Sequence, residues 1–198
     1  LFSLQIINSN INLVGAQVWV GGTAASIPGF NEALKLQNST LTCWELAGIY
    51  AAGGSSQPLN MNSIYAENST ITTTYFQTGF FPGGKTYFTN CTINTPHFSP
   101  YSNNDFPNET DEFIGCTINS GSVYFGPECI AIATNCTFNM SGVAPAFALN
   151  WYTTQNSVSL NNVQINVDSN ETTSLDIAYK PGASTINGNI NCNSIDPN

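Results

Sequence analysis

Asn90-Cys91-Thr92-Ile93, Gly115-Cys116-Thr117-Ile118 and Asn135-Cys136-Thr137-Phe138 repeat one four-residue cassette, and Asn38-Ser39-Thr40-Leu41 and Asn68-Ser69-Thr70-Ile71 carry it with serine in place of cysteine. In an extended strand successive side chains alternate between faces. Read that way, each cassette turns Asn and Thr to one side and sends Ser or Cys, with the apolar residue, into a core. Four of the five are also Asn-x-Thr acceptors of N-linked glycan, a surface signal in a secreted chain. The cassette itself holds no catalytic chemistry.

Working outward, Thr, Ser, Asn and Gly dominate, and no long stretch spaces its apolar residues for a helix. The chain reads as all-β, with strands expected over 11–20, 33–50, 64–76, 86–94, 112–118, 122–125, 129–139, 146–152, 158–167, 174–179 and 185–192. Breaks rich in Gly, Pro, Ser or Asn fall at 51–58, 79–84, 95–110 and 180–183. None of them reads as an interdomain linker. Thr40, Thr70, Thr92, Thr117 and Thr137 stand 30, 22, 25 and 20 residues apart, and this unevenness argues against a strict solenoid. Two architectures remain: a β-sandwich and a right-handed parallel β-helix.

Composition excludes several functions. Only 8% of the 198 residues are charged, with three Lys, no Arg and twelve carboxylates for a net charge of -9. Nucleic acid is an unsuitable partner, because phosphate tracking needs clustered cations. With few carboxylates to protonate and few ion pairs to lose, the chain is also expected to tolerate acid. No run approaches the apolar length of a membrane helix. A start at Leu1 without Met is the start expected of a mature chain after signal removal.

Six cysteines, Cys43, Cys91, Cys116, Cys129, Cys136 and Cys192, are disulfide candidates in a chain that otherwise looks extracellular. No metal site is expected, since Cys-x-x-Cys is absent and His97 is the lone histidine. The acids Asp105, Glu109, Asp111 and Glu112 are read as a solvated loop rather than a hydrolytic pair or a calcium site. His97 lies far from any Gly-x-Ser-x-Gly elbow and reads as a surface histidine. Trp19, Trp44 and Trp151 are candidates for a sugar-binding surface but are expected in the core. No catalytic residues and no cofactor are expected. Seven sequons, at Asn38, Asn68, Asn90, Asn108, Asn135, Asn139 and Asn170, are candidate glycan sites, although so Asn-rich a composition gives nearly that number by chance.

The first thirteen residues behave differently. Phe2, Leu4 and Ile6 occupy one alternating face and Ile7, Ile11 and Leu13 the other, so one straight strand cannot bury both sets. A strand passed into a neighbouring body, or a bulged strand, would. This apolar N-terminus (Leu1 to Leu13), the all-β body, the dense Asn-x-Thr sites and the scarcity of charge together resemble subunits of the extracellular filaments called threads, made by thermoacidophilic archaea. The resemblance implies an N-terminal donor strand over 1–13, with Phe2, Leu4, Ile6, Ile7, Ile11 and Leu13 as pocket fillers, and a glycosylated pilin- or Ig-like β-sandwich head over 14–198. It further implies a non-enzymatic pilus-like protein on the cell exterior, polymerising head to tail with copies of itself and adhering to surfaces or other cells, with covalent N-glycans and no other group. A secreted β-helix carbohydrate-active enzyme, a sugar-binding adhesin, and an envelope or virion surface glycoprotein are the alternatives.

Overall fold

The computed structural model describes residues 4–21, 32–49, 62–78, 85–100, 110–125, 130–141, 146–149, 157–169, 176–179 and 185–194. Every described element is a strand: β1 Leu4–Ile7, β2 Asn10–Gly21, β3 Glu32–Gln37, β4 Thr40–Ile49, β5 Asn62–Glu67, β6 Thr70–Thr78, β7 Lys85–Thr89 and β8 Thr92–Pro100. They continue as β9 Thr110–Ile114, β10 Thr117–Phe125, β11 Ile130–Thr134, β12 Thr137–Ser141, β13 Ala146–Leu149, β14 Ser157–Ser169, β15 Asp176–Tyr179 and β16 Thr185–Ser194.

Odd-numbered strands β1 to β11 pair in succession, and even-numbered strands β2 to β12 do the same, with both series meeting at β14. All pairings are parallel. The chain therefore coils, each turn laying its strands on those of the turn before, as in a parallel β-helix. This overturns the pilin- or Ig-like sandwich, whose sheets are antiparallel. The uneven cassette spacing misleads because the cassette threonines stay in register while the connections vary in length, as between 50–61 and 79–84.

The cassette marks a corner, not the middle of a strand. Asn8, Asn38, Asn68, Asn90, Asn135 and Asn162 all have φ between 48° and 55°, and Gly115 takes the same column at 62°. Left-handed backbone costs an ordinary L-residue roughly 1–2 kcal/mol, and Asn and Gly are the types that adopt it routinely. The bend turns the chain from a first face (β1, β3, β5, β7, β9, β11) to a second (the starts of β2, β4, β6, β8, β10, β12). The runs expected as single strands over 33–50 and 64–76 are thus each two strands meeting at an Asn.

In the five cassettes the residue after the corner Asn or Gly points inward, is small and donates a hydrogen bond. Ser39 Oγ donates to Gln37 O at 2.7 Å, Ser69 Oγ to Glu67 O at 2.8 Å and Cys91 Sγ to Thr89 O at 3.3 Å, so each satisfies the carbonyl two residues back. Cys116 and Cys136 repeat the bond at 3.5 and 3.4 Å. The next N–H crosses to the preceding coil, as Thr92 N does to Ser69 O at 2.9 Å. The turn thus satisfies these backbone groups.

A second corner follows after about two outward residues. There Thr73, Thr95 and Ser120 face inward and donate to the carbonyls of Tyr75, His97 and Ser122 at 2.8, 2.9 and 2.7 Å. Between the corners lies a core without gaps in its pattern, in which Phe76, Phe88, Phe98, Phe113, Phe125 and Phe138 are fully buried. Phe88 stacks on Phe113 at 5.1 Å and Phe76 on Phe98 at 5.0 Å.

The N-terminal puzzle has a simple geometry within the chain. Leu4 and Ile6 register with buried Leu34 and Leu36, the corner at Asn8 resets the alternation, and Ile11 and Leu13 register with buried Leu41 and Cys43. Ile7 faces outward. β2 continues beyond Leu13, but its register with β4 shifts between Leu13 and Gln17, where Gly15 takes φ of 80°.

Candidate functional site

The second corner gathers the exposed aromatic side chains. Gln17, Glu45, Tyr75, His97 and Ser122 stand in register on consecutive coils, with Trp44 beside Glu45. Trp44 is 41% exposed and Tyr75 39%. The expectation of a core Trp44 is therefore corrected: the corner throws two successive residues outward, and Trp44 is the first of them. Tyr75 and His97 stack at 5.3 Å with 15° between planes, whereas Trp44 meets Tyr75 edge-on at 5.5 Å and 70°. Tyr75 and His97 thus cover each other's faces, and Trp44 stands across Tyr75 at a steep angle with much of its surface exposed.

Polar groups flank the rings. Gln17 Nε2 donates to Glu45 Oε2 at 2.6 Å, which orients both side chains, and His97 Nδ1 lies 2.9 Å from the nearly buried Ser122 Oγ. The surface reading of His97 agrees with its exposure. Glu45 is the single carboxylate at this corner among the described side chains, whereas glycoside hydrolysis uses two flanking one bond.

The acidic cluster dissolves. Asp111 and Glu112 are consecutive on β9 rather than in a solvated loop, so the pleat points Asp111 into the core, fully buried and accepting a hydrogen bond from Thr86 Oγ1, while Glu112 faces out. They cannot act on one substrate. Asp105 and Glu109 lie outside the described residues. The break expected over 95–110 is also shorter, since β8 continues to Pro100.

Of the sequons, Asn38, Asn68, Asn90 and Asn135 are exposed at the corner, where the left-handed backbone is reason enough for Asn. Their amides form a partial ladder: Asn38 Nδ2 donates to Asn8 and Asn90 Nδ2 to Asn68, both at 3.3 Å, and Asn162 Nδ2 to Asn135 at 2.7 Å. Asn139 sits further along the second face, half-buried. Asn108, Asn170, Phe2, Cys129 and Trp151 fall outside the described residues, as do the side chains of Trp19 and Cys192.

Cys43, Cys91, Cys116 and Cys136 are buried free thiols. Cys116 lies between the other two cassette cysteines, and its S–H held by Cys136 and Cys91 pushes its own pKa up while lowering theirs. Burial raises Cys43. No cluster of metal-ligating residues and no membrane-spanning helix occurs among the described residues.

Sequence reasoning missed one feature altogether. The residue two beyond each cassette Thr is also outward and repeats, as Thr42, Thr72, Asn94, Asn119 and Asn139, and Asn166, two beyond Gln164, continues the column. Aligning the cassettes on their Asn rather than by their spacing exposes it. No protein-family model, no curated protein and no solved structure matches the chain.

Proposed function

We propose that the protein is a non-catalytic carbohydrate-binding β-solenoid of the cell exterior, an adhesin that takes a neutral glycan along its second corner. The exposed column of Trp44, Tyr75 and His97 carries this reading. A sugar ring lays its C–H face on an aromatic face, with neighbouring amides and carboxylates bonding its hydroxyls, and Trp44 with Gln17 and Glu45 offers that combination. A net charge of -9 and the absence of Arg favour neutral over acidic glycans. That Glu45 is the single carboxylate at this corner among the described side chains favours binding without cleavage.

A glycan array followed by calorimetry tests this. Trp44→Ala should abolish binding of whichever neutral oligosaccharide the chain retains, and Glu45→Gln should weaken it. An array on which the chain retains nothing would end the reading.

A second reading, a head-to-tail filament, draws on the first coil. Leu4 and Leu13 face inward like buried Leu34 and Cys43 but are 54% and 40% exposed. A further coil laid on them would bury them, and the filament reading takes that coil from another copy. Negative-stain images of the chain should then show fibres that Leu4→Lys with Leu13→Lys abolishes; discrete particles at high concentration would exclude it.

A further inference from the structure

The second face presents a two-dimensional array. Thr40, Thr70, Thr92, Thr117 and Thr137 stand in register on five consecutive coils, and beside them runs the Thr and Asn rank that starts at Thr42 and ends at Asn166. Strand geometry spaces them about 4.8 Å apart along the solenoid and about 6.7 Å across it. Neither rank contains a charged residue.

Both ranks are held still. In the second, Asn94 Nδ2 donates to Thr72 Oγ1 at 3.3 Å, Asn119 to Asn94 at 2.7 Å, and Asn139 to Asn119 and Asn166 to Asn139 at 2.8 Å each. In the first, β-branching restricts each Thr to few rotamers. The array therefore loses little side-chain entropy when a partner orders on it.

The first face shows that folding does not demand this repetition. Its corresponding outward rank reads Lys35, Tyr65, Tyr87, Glu112, Ile132 and Ser159, in the same parallel register over the same core. Amide ladders stabilise the Asn rank, but no such bond joins the threonines of the first rank. Their repetition is left to be explained by a partner.

A rigid, uncharged array with one fixed period in each direction selects a partner that is itself periodic at that scale. We infer that the second face binds ice. The rung spacing is close to the repeat of oxygen atoms along an ice face, and the hydroxyls and amides can hold first-layer waters at lattice positions. The absence of charge matters because ions hold water too strongly and in the wrong geometry for a crystal. Crystalline polysaccharide is the other periodic surface, but it is gripped by planar rings, and neither rank of the second face carries one among the described residues.

The test is thermal hysteresis and crystal shaping by the full chain in a nanolitre osmometer, with fluorescent protein on an ice hemisphere as a direct readout. The wild type should facet growing crystals and coat the hemisphere. Thr117→Lys, at the centre of the array, should abolish both; Thr134→Lys, outward on the first face, should leave both at wild-type level. If T117K lacks the wild-type circular dichroism spectrum, Thr92→Tyr takes its place and should give the same loss. Round, unshaped crystals with the wild type, equal loss in T134K, or retention on crystalline cellulose or chitin that T117K abolishes without any effect on ice would each overturn the assignment.

Discussion

The first and second faces of the solenoid share one interior and differ completely outside. Inward, the first face supplies Leu34, Ile64, Phe88 and Phe113, and the second Leu41, Ile71, Ile93 and Ile118, all buried. Outward, the first mixes Lys35, Tyr65 and Glu112 without order, while the second repeats Thr and Asn coil after coil. The fold is specified by the inward column and the Asn corner, which both faces have. What only one face has is available to be read as function.

The largest test concerns the shared interior. Phe88→Ala on the first face and Ile118→Ala on the second should each destabilise the chain by about 3–4 kcal/mol, the range for truncating a fully buried large side chain. Urea unfolding followed by circular dichroism measures both. A cost below about 1 kcal/mol on either face would mean that the faces do not share a core as described.

Next comes the amide ladder, which only the second face carries. Asn119 donates to Asn94 and accepts from Asn139, so Asn119→Asp removes the donor and sets a carboxylate against an acceptor. The expected loss is about 1–3 kcal/mol at neutral pH. Its pH dependence has a definite sign: the ionised form is disfavoured in the fold, so the folded pKa lies above the unfolded one and stability returns as pH falls through the carboxylate range. A variant whose deficit is the same at pH 3 and pH 7 would place the ladder outside the energetics.

The corner divides the faces and should cost somewhat less. Asn90 holds φ at 52°, so Asn90→Ala should lose about 1–2 kcal/mol to left-handed strain. Asn90→Gly should lose less, as the native Gly115 in the same column indicates. If Ala and Gly behave alike, the Asn ladder rather than backbone conformation fixes the turn.

These corners explain what was legible in the sequence and what was not. The two-sidedness of the cassette was readable, because Cys91, Ile93, Cys116 and Ile118 alternate with polar residues whatever the architecture. The bend was not, because Asn-x-Thr spells a glycan acceptor and a left-handed corner with the same letters. The solenoid was hidden by its connections, since insertions between strands alter the repeat length while the column from Thr40 to Thr137 stays in register. The aromatic corner was obscured because Trp44, Tyr75 and His97 are separated by 31 and 22 residues in the chain and only coil stacking brings them together.

The smallest expected effect bears most on the comparison. Glu112→Thr and Ile132→Thr place threonines in adjacent rungs of the first face, where both residues are half-buried and outward. If outer positions are free with respect to folding, each change should alter stability by no more than about 0.5 kcal/mol, as for surface substitutions generally. Two threonines also fall short of an array, so ice shaping should not increase. A loss of several kcal/mol would show that outward chemistry on a parallel coil is constrained by the fold. The repetition of Thr and Asn on the second face would then need no partner, because stacking alone would account for it.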